Sequence, residues 1–179
     1  METLNLTRDC EAVRIPAGDI ITLPSGTEVY ISQALGGSFT VQSPSYGGLF
    51  RIAGHDADAL GKEIPEEARM AADPSAPLED RVSAALRTCF DPEIPVNIVD
   101  LGLIYDTQIE TDDGGQSVVD IKMTLTAQGC GMGAAIAADA ASKIRRLDGI
   151  SDARVDIVWE PPWGPQMISE EGRKKLGLE

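Results

Sequence analysis

The sequence predicts two folds in succession, a small N-terminal all-β module followed by a compact α/β domain, which makes the chain α+β/α/β overall. Three observations carry this. From Cys10 to about Gly54, short runs rich in β-branched and aromatic residues are separated by Pro-Gly and Gly-Gly turn chemistry. From Leu78 onward, apolar residues at helical spacing take turns with runs of period two. Between them, DADALGKEIPEEARMAADPSAP mixes acidic residues, alanines and three prolines, the composition of a linker. The expected boundaries are 1–55 for the β module, 56–77 for the linker and 78–179 for the α/β domain.

Within the β module, the runs Glu28-Val-Tyr-Ile-Ser and Phe39-Thr-Val alternate in hydrophobicity as half-buried strands do. The segments IPAGDII and LPSGTEV, starting at Ile15 and Leu23, repeat one pattern. Proline fixes φ and glycine supplies a conformation other residues resist, so each copy turns the chain into the next strand. The linker holds at most a short helix, from Pro65 to Ala72. His55, the single histidine, stands at its start beside Asp56 and Asp58; a lone imidazole with no neighbouring ligand more often serves structure than a metal.

The α/β domain reads α-β-β-α-β-α around a mixed sheet. Leu78, Val82, Ala85, Leu86, Cys89 and Phe90 form a helical stripe, and Asp91-Pro92 ends that helix because a residue before proline is pushed out of the α region. Leu103 to Ile109 and Val119 to Leu125 alternate as two strands of a hairpin around Thr111-Asp-Asp-Gly-Gly-Gln. Ile136, Ala137, Ala140, Ala141, Ile144 and Leu147 make a second helix, starting near Met132, whose small residues suit close packing on a sheet. A strand through Ala153, Val155, Ile157 and Trp159 follows, and a strand-helix-strand succession favours a parallel crossover. A short last helix has Ser169 as its cap, with Glu170 and Glu171 in its first turn and Lys174 and Lys175 near its end.

Charge and cysteine usage narrow the function classes. With 29 acidic against 15 basic residues the formal charge is −14, a field that repels phosphate backbones and anionic lipid, so neither nucleic acid nor membrane is expected as a partner. No run approaches the ~18 apolar residues of a membrane span, and METLNLTRDCEAV lacks the basic-then-apolar pattern of a leader, which leads to a cytoplasmic expectation. Three cysteines form no secreted disulfide framework.

Cys130 stands out among them. In AQGCGMG it lies where a strand ends and a helix begins, between two glycines. Backbone N–H groups of a first helical turn favour a thiolate there, and glycines let a metal, a cluster or another protein approach. The competing reading is a small apolar filler at a tight turn, and the residues alone leave both open. Cys89 shares the stripe of Leu86 and Phe90 and belongs to the core. Cys10 is a packed thiol at the entry to the β module. In DPEIPVNIVDLGLIYD, the carboxylates Asp91, Glu93 and Asp100 could do acid/base work, bind a hard cation or cap backbone N–H groups, and capping is favoured because no histidine or cysteine stands with them. Trp159, Pro161, Pro162 and Trp163 form an aromatic corner that packs over the sheet or, if exposed, anchors a partner. No P-loop, dinucleotide fingerprint or nucleophile elbow is present, and a Cys-His pair would have to draw His55 from the other domain, so no enzyme is expected.

DPEIPVNIVDLGLIYD, then MTLTAQGCGMG, then VDIVWEPPWGPQMISEEGRKKLG closely resemble the iron–sulfur assembly domain family that includes the PaaD-type accessory proteins. RDCEAVRIPAGDIITLPSGTEVYISQALGGSFTV resembles the long SufT-type members. The resemblance implies an accessory role in moving or inserting clusters into apo-proteins, with iron–sulfur scaffold or carrier proteins and apo-protein clients as partners. It maps the family's reactive cysteine onto Cys130 and its acidic motif onto Asp91, Pro92, Glu93 and Asp100, making Cys130 the expected metal ligand with Asp91 and Glu93 beside it. Gln128 stands where members often have proline, which implies a looser turn. Clusters usually take about four thiolates, so one cysteine implies a transient cluster shared between the subunits of a homodimer, or contact only inside a complex. Two rivals remain: a cluster-free adaptor recruiting assembly proteins through the Trp163 corner, and a thiol redox enzyme, disfavoured for want of a resolving cysteine.

Overall fold

The computed structural model describes residues 2–35, 38–91, 94–128 and 133–178, with the side chain of Leu35 outside that description. The chain divides into two compact units, Met1–Arg69 and Met70–Glu179.

The first unit is a six-stranded antiparallel sheet. Its strands are β1 (Glu2–Asn5), β2 (Cys10–Ile15), β3 (Ile20–Leu23), β4 (Glu28–Leu35), β5 (Ser38–Gln42) and β6 (Leu49–Ala53), in the spatial order β1-β4-β5-β6-β2-β3. Period-two alternation puts Cys10, Ala12, Leu23, Val29, Phe39, Val41, Phe50 and Ile52 into one core. Both copies of the repeated segment turn on a glycine in the left-handed region, Gly18 and Gly26, each at φ 82°. A 3-10 helix, Gly54–Leu60, follows β6 and buries Ala57, Ala59 and Leu60 in the same core. Residues 56–60, which composition assigns to the linker, therefore pack with the β module: Ala57, Ala59 and Leu60 are buried, Asp56 is half-buried against Arg8, and Asp58 is exposed.

A short helix α1 (Glu66–Ala72) spans the boundary, and the second unit continues with α2 (Leu78–Leu86), β7 (Ile104–Thr111), β8 (Ser117–Met123), α3 (Gly133–Arg145), β9 (Ile150–Ile157), a 3-10 turn at Pro165–Met167 and α4 (Glu170–Leu176). The sheet order is β7-β8-β9, antiparallel between β7 and β8 and parallel between β8 and β9. Asp112 sets the hairpin turn, its Oδ1 accepting the N–H groups of Gly114 and Gln116 at 2.9 Å each. The core gathers Val82, Ala85, Leu86 and Cys89 from α2 and its exit, Val119, Ile121 and Met123 from β8, and Ile136, Ala140 and Ile144 from α3. Buried Arg81 donates from Nε to the Ala71 carbonyl at 3.3 Å and from Nη1 to the Asp148 carbonyl at 3.1 Å, so its charge is met by backbone oxygens.

Candidate functional site

The acidic motif occupies the irregular stretch between α2 and β7. Ile98 N–H donates to the Cys89 carbonyl at 2.9 Å, and Phe90 and Asn97 form an isolated antiparallel bridge, so the chain folds back on itself and closes a loop. Asp91 lies buried at the neck of that loop, its carbonyl accepting Ile94 N–H at 3.2 Å. Pro92 and Glu93 lie outside the described residues.

Asp100 is the hub of this stretch. Its side chain is only 4% exposed. One carboxylate oxygen accepts Arg87 Nη1 at 3.0 Å and Ser169 Oγ at 3.1 Å, while the other accepts Asn97 Nδ2 at 2.8 Å and faces Lys175 Nζ at 3.8 Å. Asn97 also takes the Asp100 backbone N–H on its Oδ1 at 2.8 Å. Charged and neutral donors together satisfy a carboxylate that would otherwise be costly to bury. Ser169 caps α4 by accepting Gly172 N–H at 3.1 Å, and its own N–H reaches the Asp100 carbonyl at 2.8 Å. The acidic loop is thereby tied to the C-terminal helix. Asp100 is engaged by side chains, where the sequence favoured backbone capping.

The aromatic corner is tied to the same loop. Trp163 is half-buried, packs against the core and donates its indole N–H to the Leu101 carbonyl at 2.7 Å. Tyr105 hydroxyl donates to the Pro161 carbonyl at 2.7 Å. Gly102, at φ 75°, lies where a Cβ would come within 2.3 Å of the Met167 carbonyl oxygen. Trp159 is the exposed tryptophan of the corner.

Cys130 lies outside the described residues, so the structure reports on its frame alone. On the strand side, Thr124 N–H donates to the Leu103 carbonyl at 2.8 Å, and its buried hydroxyl has no hydrogen-bond partner among the described residues. On the helix side, α3 begins at Gly133, where an added Cβ would come within 2.3 Å of Leu125 Cδ1. The strand exit and the first turn of α3 therefore meet in close contact, and a side chain at 133 would require Leu125 to shift.

The two described thiols are unsuited to ligation. Cys89 is buried, and desolvation pushes its thiol up to about 12; Cys10 is buried as well, and desolvation with neighbouring Asp56 raises it to about 11. His55 is exposed and contacts Asp56 at 3.2 Å, but Arg8 binds both nearby carboxylates, Asp56 at 2.8 Å and Asp58 at 2.7 Å. Among the described residues no three His, Cys, Asp or Glu side chains gather as a metal site, and no helix is long and apolar enough to cross a membrane.

Sequence reasoning missed Asn97, Arg87 and Thr124. The first could have been suspected from its position three residues before Asp100, the spacing at which an N-cap side chain accepts a backbone N–H; the other two carry no local signal.

Comparison with known proteins gives this geometry its context. Residues 79–157 match the family model described as iron–sulfur cluster assembly protein. An "Fe-S protein maturation auxiliary factor" of Porphyromonas gingivalis is 39% identical over 100 residues, 56% of this chain and 91% of that protein. Similar proteins of the same description are YitW of Bacillus subtilis, 34% identical over 57% of this chain and 96% of its own length, and SufT of Staphylococcus aureus, 41% identical over 49% and 96%. A crystal structure of a domain of unknown function from Bacillus anthracis is 34% identical over 57% of this chain and 93% of that one, with a TM-score of 0.48. Matched along nearly the whole length of those maturation factors, this chain belongs to the iron–sulfur cluster assembly protein family, among its SufT-type members.

Proposed function

We propose that this protein is a non-enzymatic accessory factor of iron–sulfur protein maturation that passes clusters to apo-proteins through Cys130. The observation that carries the reading is the division of labour among its thiols. Cys10 and Cys89 are buried, with raised pKa values that disfavour the ligating thiolate. In sequence Cys130 falls between the exit of β8 and the 13-residue helix α3, whose first residue, Gly133, lies beside Leu125, and backbone N–H groups at such a helix start favour a thiolate.

A cluster is cargo in this scheme. One cysteine gives one of about four ligands, so the cluster is held between two copies, each contributing Cys130, or between Cys130 and a scaffold, carrier or client. The acidic motif that supplies Asp91 and Glu93 is assigned the role of assisting this exchange, and the Asp100 hub ties the same stretch of chain to α4. Family membership and the names of the relatives support the pathway; the role of the individual residues is our inference.

Anaerobic reconstitution of the wild type and Cys130→Ser tests it, read by visible absorption and by iron and sulfide per chain. A labile chromophore confined to the wild type is expected. A cluster of equal yield on both proteins overturns the assignment. The adaptor reading has one observation in its favour, the exposed Trp159; loss of partner capture in Trp159→Ala, with cluster chemistry absent from both proteins, would select it.

A further inference from the structure

We infer that the groove between α2 and the free edge of β7 captures an extended segment of a partner protein, in which basic residues alternate with apolar ones, and that this segment joins the second unit's sheet as a strand beside β7. Three observations carry it. β7 ends the order β7-β8-β9 and pairs with β8 alone. Along that edge runs a cavity of about 380 Å³, lined by Val82, Ser83 and Leu86 of α2 and by Ile104, Thr107 and Ile109 of β7. The one charged residue among its described lining is Glu79, at the start of α2.

The ladder between β7 and β8 selects a polypeptide. Asp112 N–H donates to the Gln116 carbonyl at 2.7 Å, and the pairs Glu110 with Val118, Gln108 with Asp120 and Asp106 with Lys122 follow at every second residue. Hydrogen-bonded and non-bonded pairs alternate in an antiparallel ladder, so the backbone groups of Asp106, Gln108 and Glu110 point to β8 while those of Thr107 and Ile109 point away from it. Thr107 and Ile109 also share the face that lines the cavity, as residues two apart in a strand do. A strand laid beside β7 meets both outward N–H groups and both outward C=O groups, and it sets every second side chain into the cavity. A small molecule does only the latter. The arrangement, an edge strand with an apolar groove for alternate side chains, is that of peptide recognition by strand addition.

Charge selects the sequence of that polypeptide. Asp106 and Glu110 stand on the other face of β7; Lys122 lies across from Asp106 on β8, whereas Glu110 lies across from Val118. Neither Glu79 nor Glu110 forms an ion pair among the described residues. The far edge of the sheet differs: on β9, Asp152 is paired with Arg145 at 3.1 Å, and the same guanidinium donates to the Ala153 carbonyl at 2.7 Å. A strand with lysine or arginine at alternate positions sets a cation opposite Glu110, where unlike charges attract, and its remaining side chains in the apolar groove. A second copy brings the same carboxylates on a chain of formal charge −14 and is repelled from this edge. The capture needs neither a cluster nor Cys130, so failure of reconstitution leaves it standing.

Fluorescence polarisation of a labelled heptapeptide of alternating lysine and valine, titrated with the full chain, tests it. Saturable binding is expected, weaker as salt screens the charges and unchanged in Cys130→Ser. Thr107→Pro removes one outward N–H without touching the ladder to β8 and is expected to weaken binding about tenfold, the worth of one hydrogen bond. Glu79→Lys combined with Glu110→Lys leaves the backbone untouched and is expected to weaken it by about tenfold as attraction turns to repulsion. Circular dichroism checks that both variants stay folded. Peptides alternating lysine with serine, or glutamate with valine, are expected to bind far less tightly than the lysine–valine peptide. Absence of binding by the lysine–valine peptide overturns the inference, as does binding that survives both variants. Equal binding of the lysine–serine peptide also overturns it, since charge alone would then be recognised. A sedimentation mass that rises with concentration and falls when the peptide is added would assign the groove to a second copy and overturn it as well.

Discussion

Ser169 and Asp100, 69 residues apart, are joined twice: the Ser169 N–H donates to the Asp100 carbonyl at 2.8 Å, and its hydroxyl donates to the Asp100 carboxylate at 3.1 Å. The same hydroxyl accepts Gly172 N–H, so one side chain caps α4 and fastens it to the acidic loop. Ser169→Ala is expected to cost about 1–2 kcal/mol, the value of a lost cap together with one charge-assisted bond. Asp100→Ala is expected to cost about 2–4 kcal/mol, since Asn97 loses its acceptor and Arg87 its counter-charge. The two losses should couple by about 0.5–3 kcal/mol in a double-mutant cycle of urea unfolding, as contacting residues do. Strict additivity would show that the hydroxyl contributes nothing through Asp100.

Gly102 carries two constraints at once. Its φ of 75° is left-handed, and a Cβ there would sit 2.3 Å from the Met167 carbonyl oxygen, a backbone atom with little freedom to yield. The conformational penalty alone is about 1–2 kcal/mol for an L-residue, and overpacking adds about 1–3 kcal/mol. Gly102→Ala is therefore expected to lower the urea midpoint markedly, whereas Gly149→Ala, with φ 89° and open space around the new methyl, pays the first penalty only. Equal losses at the two glycines would mean that the corner moves aside freely.

Much of this architecture is legible in the sequence because its signals are local. Ser169 reads as a cap from the acidic turn that follows it, and the hairpin reads from Asp-Asp-Gly-Gly. The Asp100 hub does not, because its donors stand at Arg87, Asn97, Ser169 and Lys175, and no periodicity links a loop carboxylate to a helix 69 residues on. The burial at 57–60 is hidden for the opposite reason: neighbouring aspartates mask Ala57, Ala59 and Leu60, which pack with strands that come before them. The two tryptophans of the corner look alike in sequence, and only the fold gives one of them an internal partner.

That difference is measurable. Trp163→Phe keeps most of the packing area but leaves the Leu101 carbonyl without its indole donor. A loss of about 1–2 kcal/mol is expected, the cost of one unmade bond at a part-buried acceptor. Trp159→Ala removes an exposed ring and is expected to change stability by no more than about 0.5 kcal/mol. If the two exchanged effects, Trp159 would be the structural member of the corner.

The buried thiols give the protein a pH dependence with a defined sign. Desolvation raises Cys10 to about 11 and Cys89 to about 12 in the folded chain, against about 8.5 for a free thiol. A folded pKa above the unfolded one means that the folded state holds its proton more tightly. The resulting stability is fully present below about pH 8.5 and is lost as pH rises toward the folded values. The melting temperature is therefore expected to fall from about pH 8.5 upward, toward the folded values of about 11 and about 12, and to fall less steeply in Cys89→Ala, whose slope rather than absolute value is the readout. At pH 8, iodoacetamide is expected to modify Cys130 quickly in the native protein and to reach Cys10 and Cys89 only after denaturation, as peptide mass spectrometry would record. Equal native labelling of all three thiols would remove the distinction on which the transfer role of Cys130 rests.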